Sequence, residues 1–317
     1  MDTPSTSEPV NKASPRTPWP AGWIAPELTD AQGRPLPGVV ACMTARAGGV
    51  SRSPYASFNL GDHVADDPAA VISNREHAGR FMAGLAGPTD ASAAVDAAAP
   101  WPVAWLEQVH GARMHRLCAN DVVPDGRVRA PQADGVFTTE PGLVCAVMVA
   151  DCLPILLADR QGRGVAALHA GWRGLAGAGK AMEGRGIVEA GVAALCEATQ
   201  AQASDLVAWL GPCIGPRRFQ VGADVLAAFG VKPLAVGATS ANRPGAPDAC
   251  FQPDTDVGVA APRWRANLAG LARLRLHAAG VASVCGGTWC TVDDPARFFS
   301  YRRDRVTGRQ AAMIALR

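Results

Sequence analysis

Two short apolar runs constrain what this chain can fold into more than any other feature. Residues 144–150 and 165–168 are rich in Val, Leu and Ala and bounded by Gly, Pro and Asp. Runs of that length and composition read as buried strands. Between them, Asp159-Arg160-Gln161-Gly162 is polar and ends in glycine, as a hairpin connection requires. The first run leads to Cys152 and the second to His169. If both strands share a sheet, thiol and imidazole emerge near one another. Upstream, Gln108-Val109-His110-Gly111 has the same form, a histidine at a strand end followed by glycine. Two imidazoles and one thiolate in such positions suit zinc with an open fourth position, which marks a catalytic rather than a structural ion.

Composition narrows the partners. The 317 residues carry a net charge of +2, too near neutral for a nucleic-acid-binding face. No run of 18 apolar residues occurs, so no membrane span is expected. Residues 1–20 are rich in Ser, Thr and Pro without an apolar core, which reads as a disordered tail and not a signal peptide. The nine cysteines are scattered without a paired framework. That fits a reducing, cytoplasmic setting. Nothing in the sequence sets an oligomeric state.

Along the chain, residues 39–44 read as a strand leading into a long glycine-bearing loop over 46–61. Loops of this kind inside a domain are usually functional or disordered. Asp67 and Pro68 read as N-cap and first residue of a helix that continues to Leu85. Residues 86–100 form a linker. Strands are expected at 103–106, 112–117 and 135–139, and a long Ala-rich helix at 175–199, broken near 184–186 by glycines. Further on come a strand at 206–210, a tight loop at 211–216, a helix at 224–229 and a surface insertion at 237–250. An amphipathic helix at 264–279 ends at Gly280, and strands at 281–285 and 310–316 close the chain. Without regular βαβ alternation, the fold class is α+β with mixed sheets in a single domain, residues 21–317.

His110, Cys152 and His169 each have a structural reading as satisfied core residues. Taken together they favour metal ligation. A second chemistry uses the same atoms, with Cys152 as nucleophile and His169 as base. The two exclude each other in the resting state, because a metal-bound thiolate does not attack. Copper fits less well, since six histidines with no His-x-His pair are few for a multicopper centre. Arg46, Arg75 and Arg173 are candidate anion-binding residues, because a guanidinium grips two phosphate oxygens at once. Asp151, beside a candidate ligand, is suited to orient an imidazole or move a proton, and Asp134 is a case of the same kind. Trp172 and Phe299 are aromatic enough to stack on a base, though packing is the commoner fate. Arg302 and Arg303 read as braces of the C-terminal loop.

Seven motifs occur in order: Arg46-x-Gly48-Gly49-Val50-Ser51, Gln108-Val109-His110-Gly111, Ala133-Asp134-Gly135, Ala150-Asp151-Cys152-Leu153-Pro154, His169-Ala170-Gly171-Trp172-Arg173-Gly174, Gly211-Pro212-x-Ile214-Gly215 and Phe299-Ser300-Tyr301-Arg302-Arg303-Asp304. From Gly38 onward the chain resembles the YfiH, or laccase-domain, family, also described as multicopper polyphenol oxidases and purine nucleoside phosphorylases. The resemblance implies sheets in α/β/β/α layers and zinc on two His and one Cys, which map to His110, Cys152 and His169. It implies phosphorolysis of adenosine, inosine and methylthioadenosine with phosphate, with adenosine deamination as a further activity. It also favours Arg75, in an Asn-Arg pair after the helix start, as a substrate residue. An alternative within the family is editing of a peptidoglycan precursor through Cys152 or a zinc-bound water. A zinc-binding interaction module without catalysis is a third reading.

Overall fold

The computed structural model describes residues 19–87, 99–129, 131–179, 182–233, 245–254 and 262–317. The expected tail at 1–20 lies outside this set except for its last two residues, as do most of the 86–100 linker and residues 237–244 of the insertion. In chain order the elements are β1 (Val39–Met43), α1 (Pro68–Ala86), β2 (Val103–Ala104), β3 (Met114–Arg116), β4 (Gly135–Thr138), β5 (Val144–Val149), β6 (Leu153–Asp159), β7 (Val165–Ala170), α2 (Trp172–Ala176) and α3 (Ile187–Thr199). They continue as β8 (Leu206–Leu210), β9 (Gln220–Val221), α4 (Ala223–Ala228), β10 (Phe251–Pro253), β11 (Trp264–Ala266), α5 (Leu268–Ala278), β12 (Ser283–Gly286), α6 (Tyr301–Asp304) and β13 (Gln310–Leu316).

The apolar runs lack polar alternation because each main sheet is covered on both faces. One sheet has the order β1-β13-β5-β2 and the other β12-β8-β6-β7-β4-β3. Alternate residues of β5 show the consequence. Val144, Ala146 and Met148 join Phe81, Met82 and Phe58 under α1, while Cys145, Val147 and Val149 meet Leu156, Ala167 and Trp209 of the second sheet. On that sheet's far face Ile155, Leu157 and Leu168 pack with Ile187, Leu195 and Leu271 of α3 and α5. The layer order is α/β/β/α, as the resemblance implies, in one mixed α+β domain. A small third sheet, β10-β11-β9, flanks α5.

Two expectations are corrected. The runs at 144–150 and 165–168 do not share a sheet. β5 pairs with β13 and β2, whereas β7 pairs with β6 and β4. Only Ala150, Asp151 and Cys152 separate β5 from β6. Three extended residues reach about 10 Å, which is the spacing of stacked sheets. The 264–279 helix begins only at Leu268, capped by Asn267, whose side chain accepts from the Gly270 N–H; Trp264–Ala266 is a strand. The 175–199 stretch is interrupted, as its glycines predicted, but over a longer span than 184–186: α2 ends at Ala176 and α3 begins at Ile187. Asp67 caps α1 and Pro68 is its first residue, as expected.

The long loop after β1 is held by one buried side chain of α1. Asn74 Nδ2 donates to Ser51 Oγ and to the carbonyls of Ser57 and Asn59, and its Oδ1 accepts from the Val50 N–H. Between the sheets, Leu156 is fully buried. Leu156→Ala is expected to cost about 2–5 kcal/mol of unfolding free energy, through lost burial and the cavity left behind. A denaturant titration checks this; a loss below about 1 kcal/mol would contradict a close-packed interface between the sheets.

Candidate metal centre

Register brings the site together. The hairpin turn is closed by Asp159, which accepts from Arg163 Nε and Nη2 at 2.7 and 2.9 Å. The pairing of β6 with β7 sets Leu153 opposite Ala170 and Pro154 opposite His169. Cys152, one residue before β6, therefore reaches the end of β7 at which His169 stands. Gly171 keeps that corner open, since a Cβ there would stand 2.8 Å from His110 Cδ2 and 3.2 Å from Cys152 Sγ. Gly174 does the same one turn on, where a Cβ would meet the Gly111 carbonyl at 2.5 Å.

His110 is not at a strand end. It lies in a turn beyond β2 with φ of 62°, a left-handed conformation that costs a non-glycine residue about 1–3 kcal/mol. Asp134 holds that turn. Its carboxylate accepts from the N–H groups of Val109, His110 and Gly111 at 3.2, 2.8 and 2.6 Å. The same carboxylate lies 2.8 Å from His169 Nδ1, and the Asp134 carbonyl accepts the His169 N–H at 2.7 Å.

Within this frame the His110, Cys152 and His169 ligand atoms lie within 4.8 Å of one another, with Cys152 Sγ 3.8 Å from His110 Nε2. A tetrahedral ion with bonds of about 2.0–2.3 Å sets its ligand atoms roughly 3.5 Å apart. The donor set therefore fits one ion with slight contraction. His169 is buried and uses Nδ1 on Asp134, which leaves Nε2 for the site. Burial opposes the charges here, but local partners outweigh it. The His169 hydrogen bond and charge, with the Gly111 and His110 N–H groups, hold the Asp134 carboxyl below its usual range. Against the same opposing burial, the charge of His169 and the hydrogen bond from His110 hold the Cys152 thiol well below its ordinary value. Burial likewise opposes the charge on His169, whose imidazole is nonetheless raised by the Cys152 charge and the Asp134 bond. The arrangement stabilises Cys152 as a thiolate, the state a cysteine ligand requires.

The other candidates are placed differently. The Asp151 carboxylate turns to the C-terminal segment: Oδ1 accepts from Thr291 Oγ1 at 2.6 Å and Oδ2 from the Arg302 N–H at 2.6 Å. It ties the 291–304 segment to the site, and its φ is 99°. Arg46 donates to the carbonyls of Ala56 and Pro295 and lies 5.0 Å over the Phe299 ring. Phe299 is fully buried and offers no face to a substrate. Arg75 donates from Nε to the Leu60 carbonyl, pairs with Asp62 at 3.2 Å and lies 4.9 Å over Trp105. Arg173 is exposed and lies 4.4 Å over Trp172. Arg302 donates to the Arg218 and Gln220 carbonyls, and Arg303 to those of Thr291 and Phe298. Sequence reasoning treated Asp151 and Asp134 alike. The one available signal for Asp134 was its place in Ala133-Asp134-Gly135, immediately before a strand that runs beside β7.

Residues 40–317 match the family described as multi-copper polyphenol oxidoreductase laccase. A Pseudomonas aeruginosa protein named purine nucleoside phosphorylase is 40% identical over 295 residues, which cover 93% of this chain and 98% of its own. The Escherichia coli protein named purine nucleoside phosphorylase YfiH is 39% identical over 279 residues, 88% of this chain and 94% of its own. Among solved structures, a Neisseria meningitidis protein superposes with a TM-score of 0.70 at 35% identity, covering 93% and 99% of the two chains. YlmD from Geobacillus stearothermophilus gives 0.70 at 30% identity, covering 93% and 100%.

Because Asp134 orients His169 and clamps the His110 turn together, Asp134→Asn is expected to weaken metal binding about 10- to 100-fold. Cys152→Ala and His169→Ala should lose most of the metal. Elemental analysis of the purified variants measures this, and full retention in both ligand variants contradicts the site.

Proposed function

The chain belongs to the multi-copper polyphenol oxidoreductase laccase family, and on that premise we propose that it is a zinc-dependent purine nucleoside phosphorylase. Inosine, adenosine and methylthioadenosine are its proposed substrates, with adenosine deamination as a second activity at the same centre. The observation that carries the reading is the cluster of two imidazoles and a thiolate, pre-set by Asp134. The relatives named purine nucleoside phosphorylase support it.

A nitrogen, nitrogen, sulfur donor set suits zinc. A multicopper centre finds no further imidazoles nearby, since the other four histidines are engaged elsewhere. His63 lies by Asp62, His77 against Phe58, His115 by Asp121 and His277 on the Val281 carbonyl. Zinc at the triad would supply a fixed positive charge that polarises the bound nucleoside. The protein's own part begins with Asp134, which keeps the proton on His169 Nδ1 and its Nε2 turned to the site. Arg75 is proposed to hold phosphate, since its Nη1 has no partner among the described residues while its other nitrogens are anchored. A phosphate oxygen bonds to C1′ as the C1′–N9 bond breaks, and the purine leaves with the bonding pair and takes up a proton. If so, Arg75→Ala raises the KM for phosphate far more than the KM for inosine, by roughly 10-fold or more. Steady-state kinetics with each substrate varied decide it, and an unchanged phosphate KM retires Arg75 from this role.

The same thiolate beside an imidazolium supports one competing reading, a cysteine hydrolase acting on a peptidoglycan precursor. The two differ in what protects Cys152. As a zinc ligand it reacts slowly with iodoacetamide until a chelator removes the ion, when activity falls and labelling quickens; added zinc reverses both. Mass spectrometry of the Cys152 peptide follows the reaction. Fast labelling of the untreated enzyme, with activity indifferent to chelator, favours the hydrolase.

A further inference from the structure

Arg309 stands immediately before β13, outside every role assigned above. The register pairs Gln310 with Val149, so Arg309 lies across from Ala150 and close to Asp151 and Cys152. Its backbone is clamped to the loop after β1. The Arg309 N–H donates to Asn59 Oδ1 at 2.8 Å, and its carbonyl accepts the Leu60 N–H at 3.0 Å. The side-chain stem crosses that loop at Gly61, where a Cβ would stand 2.8 Å from Arg309 Cγ. A residue larger than glycine at 61 would push the stem aside.

The guanidinium of Arg309 is half-buried and meets no carboxylate in an ion pair among the described residues. Its Nη1 donates to the carbonyls of Thr307 and Gly308 at 3.1 and 3.0 Å. Arg163, Arg218, Arg275 and Arg303, by contrast, each meet a carboxylate. Burial holds the Arg309 pKa below its ordinary value, and the charges acting the other way are those of Cys152, Asp151 and Tyr301. By register its backbone stands across from Ala150, next to the Asp151-Cys152 corner of the metal centre. A partly desolvated cation whose partners are neutral carbonyls favours an incoming anion. Arg75 grips the same loop, through the Leu60 carbonyl. Nearby, the buried hydroxyl of Thr307 has no hydrogen-bond partner.

We propose that Arg309, together with Arg75 on the same loop, forms the seat of the phosphate co-substrate beside the His110, Cys152 and His169 cluster. The identity of the anion rests on the phosphorylase reading; the oxyanion seat itself rests on a half-buried guanidinium whose hydrogen-bond partners are the neutral carbonyls of Thr307 and Gly308. A planar guanidinium presents two parallel N–H donors to two phosphate oxygens, and Gly61 sets its approach.

Calorimetric titration of the zinc-loaded protein with inorganic phosphate reads the seat without turnover, and inosine phosphorolysis reads it with turnover. Arg309→Gln is expected to raise both the phosphate Kd and the phosphate KM roughly 10- to 100-fold. Arg309→Lys should recover part of the loss. Gly61→Ala, which displaces the stem and leaves the guanidinium intact, should weaken phosphate in the same direction. Zinc content and melting temperature of each variant establish that the fold and metal site persist. A phosphate Kd for both Arg309→Gln and Gly61→Ala within about twofold of wild type overturns the proposal, whether or not inosine is cleaved. Failure of the wild-type enzyme to cleave inosine with phosphate overturns the phosphorylase reading instead, and the Kd comparison still decides the seat.

Discussion

The Asp134 carboxylate accepts three consecutive backbone N–H groups from the His110 turn, and its Oδ1 also faces His169 Nδ1. The site depends on that junction. One anion satisfies buried donors on a turn, fixes which imidazole nitrogen is free, and offsets the charge that gathers between His169 and Cys152. Each of these alone is an ordinary use of a buried carboxylate, which must be fully hydrogen-bonded to be tolerated. Their combination couples the strained φ of His110 to the orientation of His169, so the two imidazoles are positioned as a unit.

That unit sits where two sheets exchange a chain. Between β5 and β6 the backbone crosses from one layer to the other in three residues, and the middle one, Asp151, takes a positive φ to do so. Its carboxylate is then held by Thr291 and Arg302, which draws the C-terminal segment over the same corner. Cys152 thus faces β7 from the adjoining strand, while Arg309 approaches from the head of β13. The long loop after β1 comes in behind, held by Asn74 and crossed by Arg309 at Gly61. At positions 61, 171 and 174 other atoms occupy the space a side chain would need, which is why glycine stands at each.

Much of this was legible from residue order. The short apolar runs announced buried strands, the Asp159–Gly162 stretch announced a hairpin, and Asp67-Pro68 announced a helix start. Histidine and cysteine beside glycine, proline or aspartate named the three residues that converge. Other features were not legible. Trp264–Ala266 joins the helical pattern of α5 without a break in hydrophobicity, so the strand hid inside the helix. Asp151 adjoins Cys152 and drew attention as an orienting carboxylate, whereas Asp134, 35 positions from His169, makes that contact. Arg309 lies in Thr307-Gly308-Arg309, which has no chemistry of its own until the Asn59–Gly61 loop is laid against it.

By itself the sequence determined most of the elements and the identities of the converging side chains, because periodicity, capping and turn chemistry act over a few residues. It also determined that the chain must bury strands on both faces, since runs without polar alternation have no solvent side. Which run pairs with which was decided only by the tertiary structure. The 144–150 and 165–168 runs are equally apolar, and local preference cannot distinguish a shared sheet from two stacked ones. The choice follows from packing both faces of each sheet at once, and it is that packing which sets Asp134 on His169, frees Asp151 for the C-terminal segment, and leaves Arg309 with no carboxylate partner among the described residues.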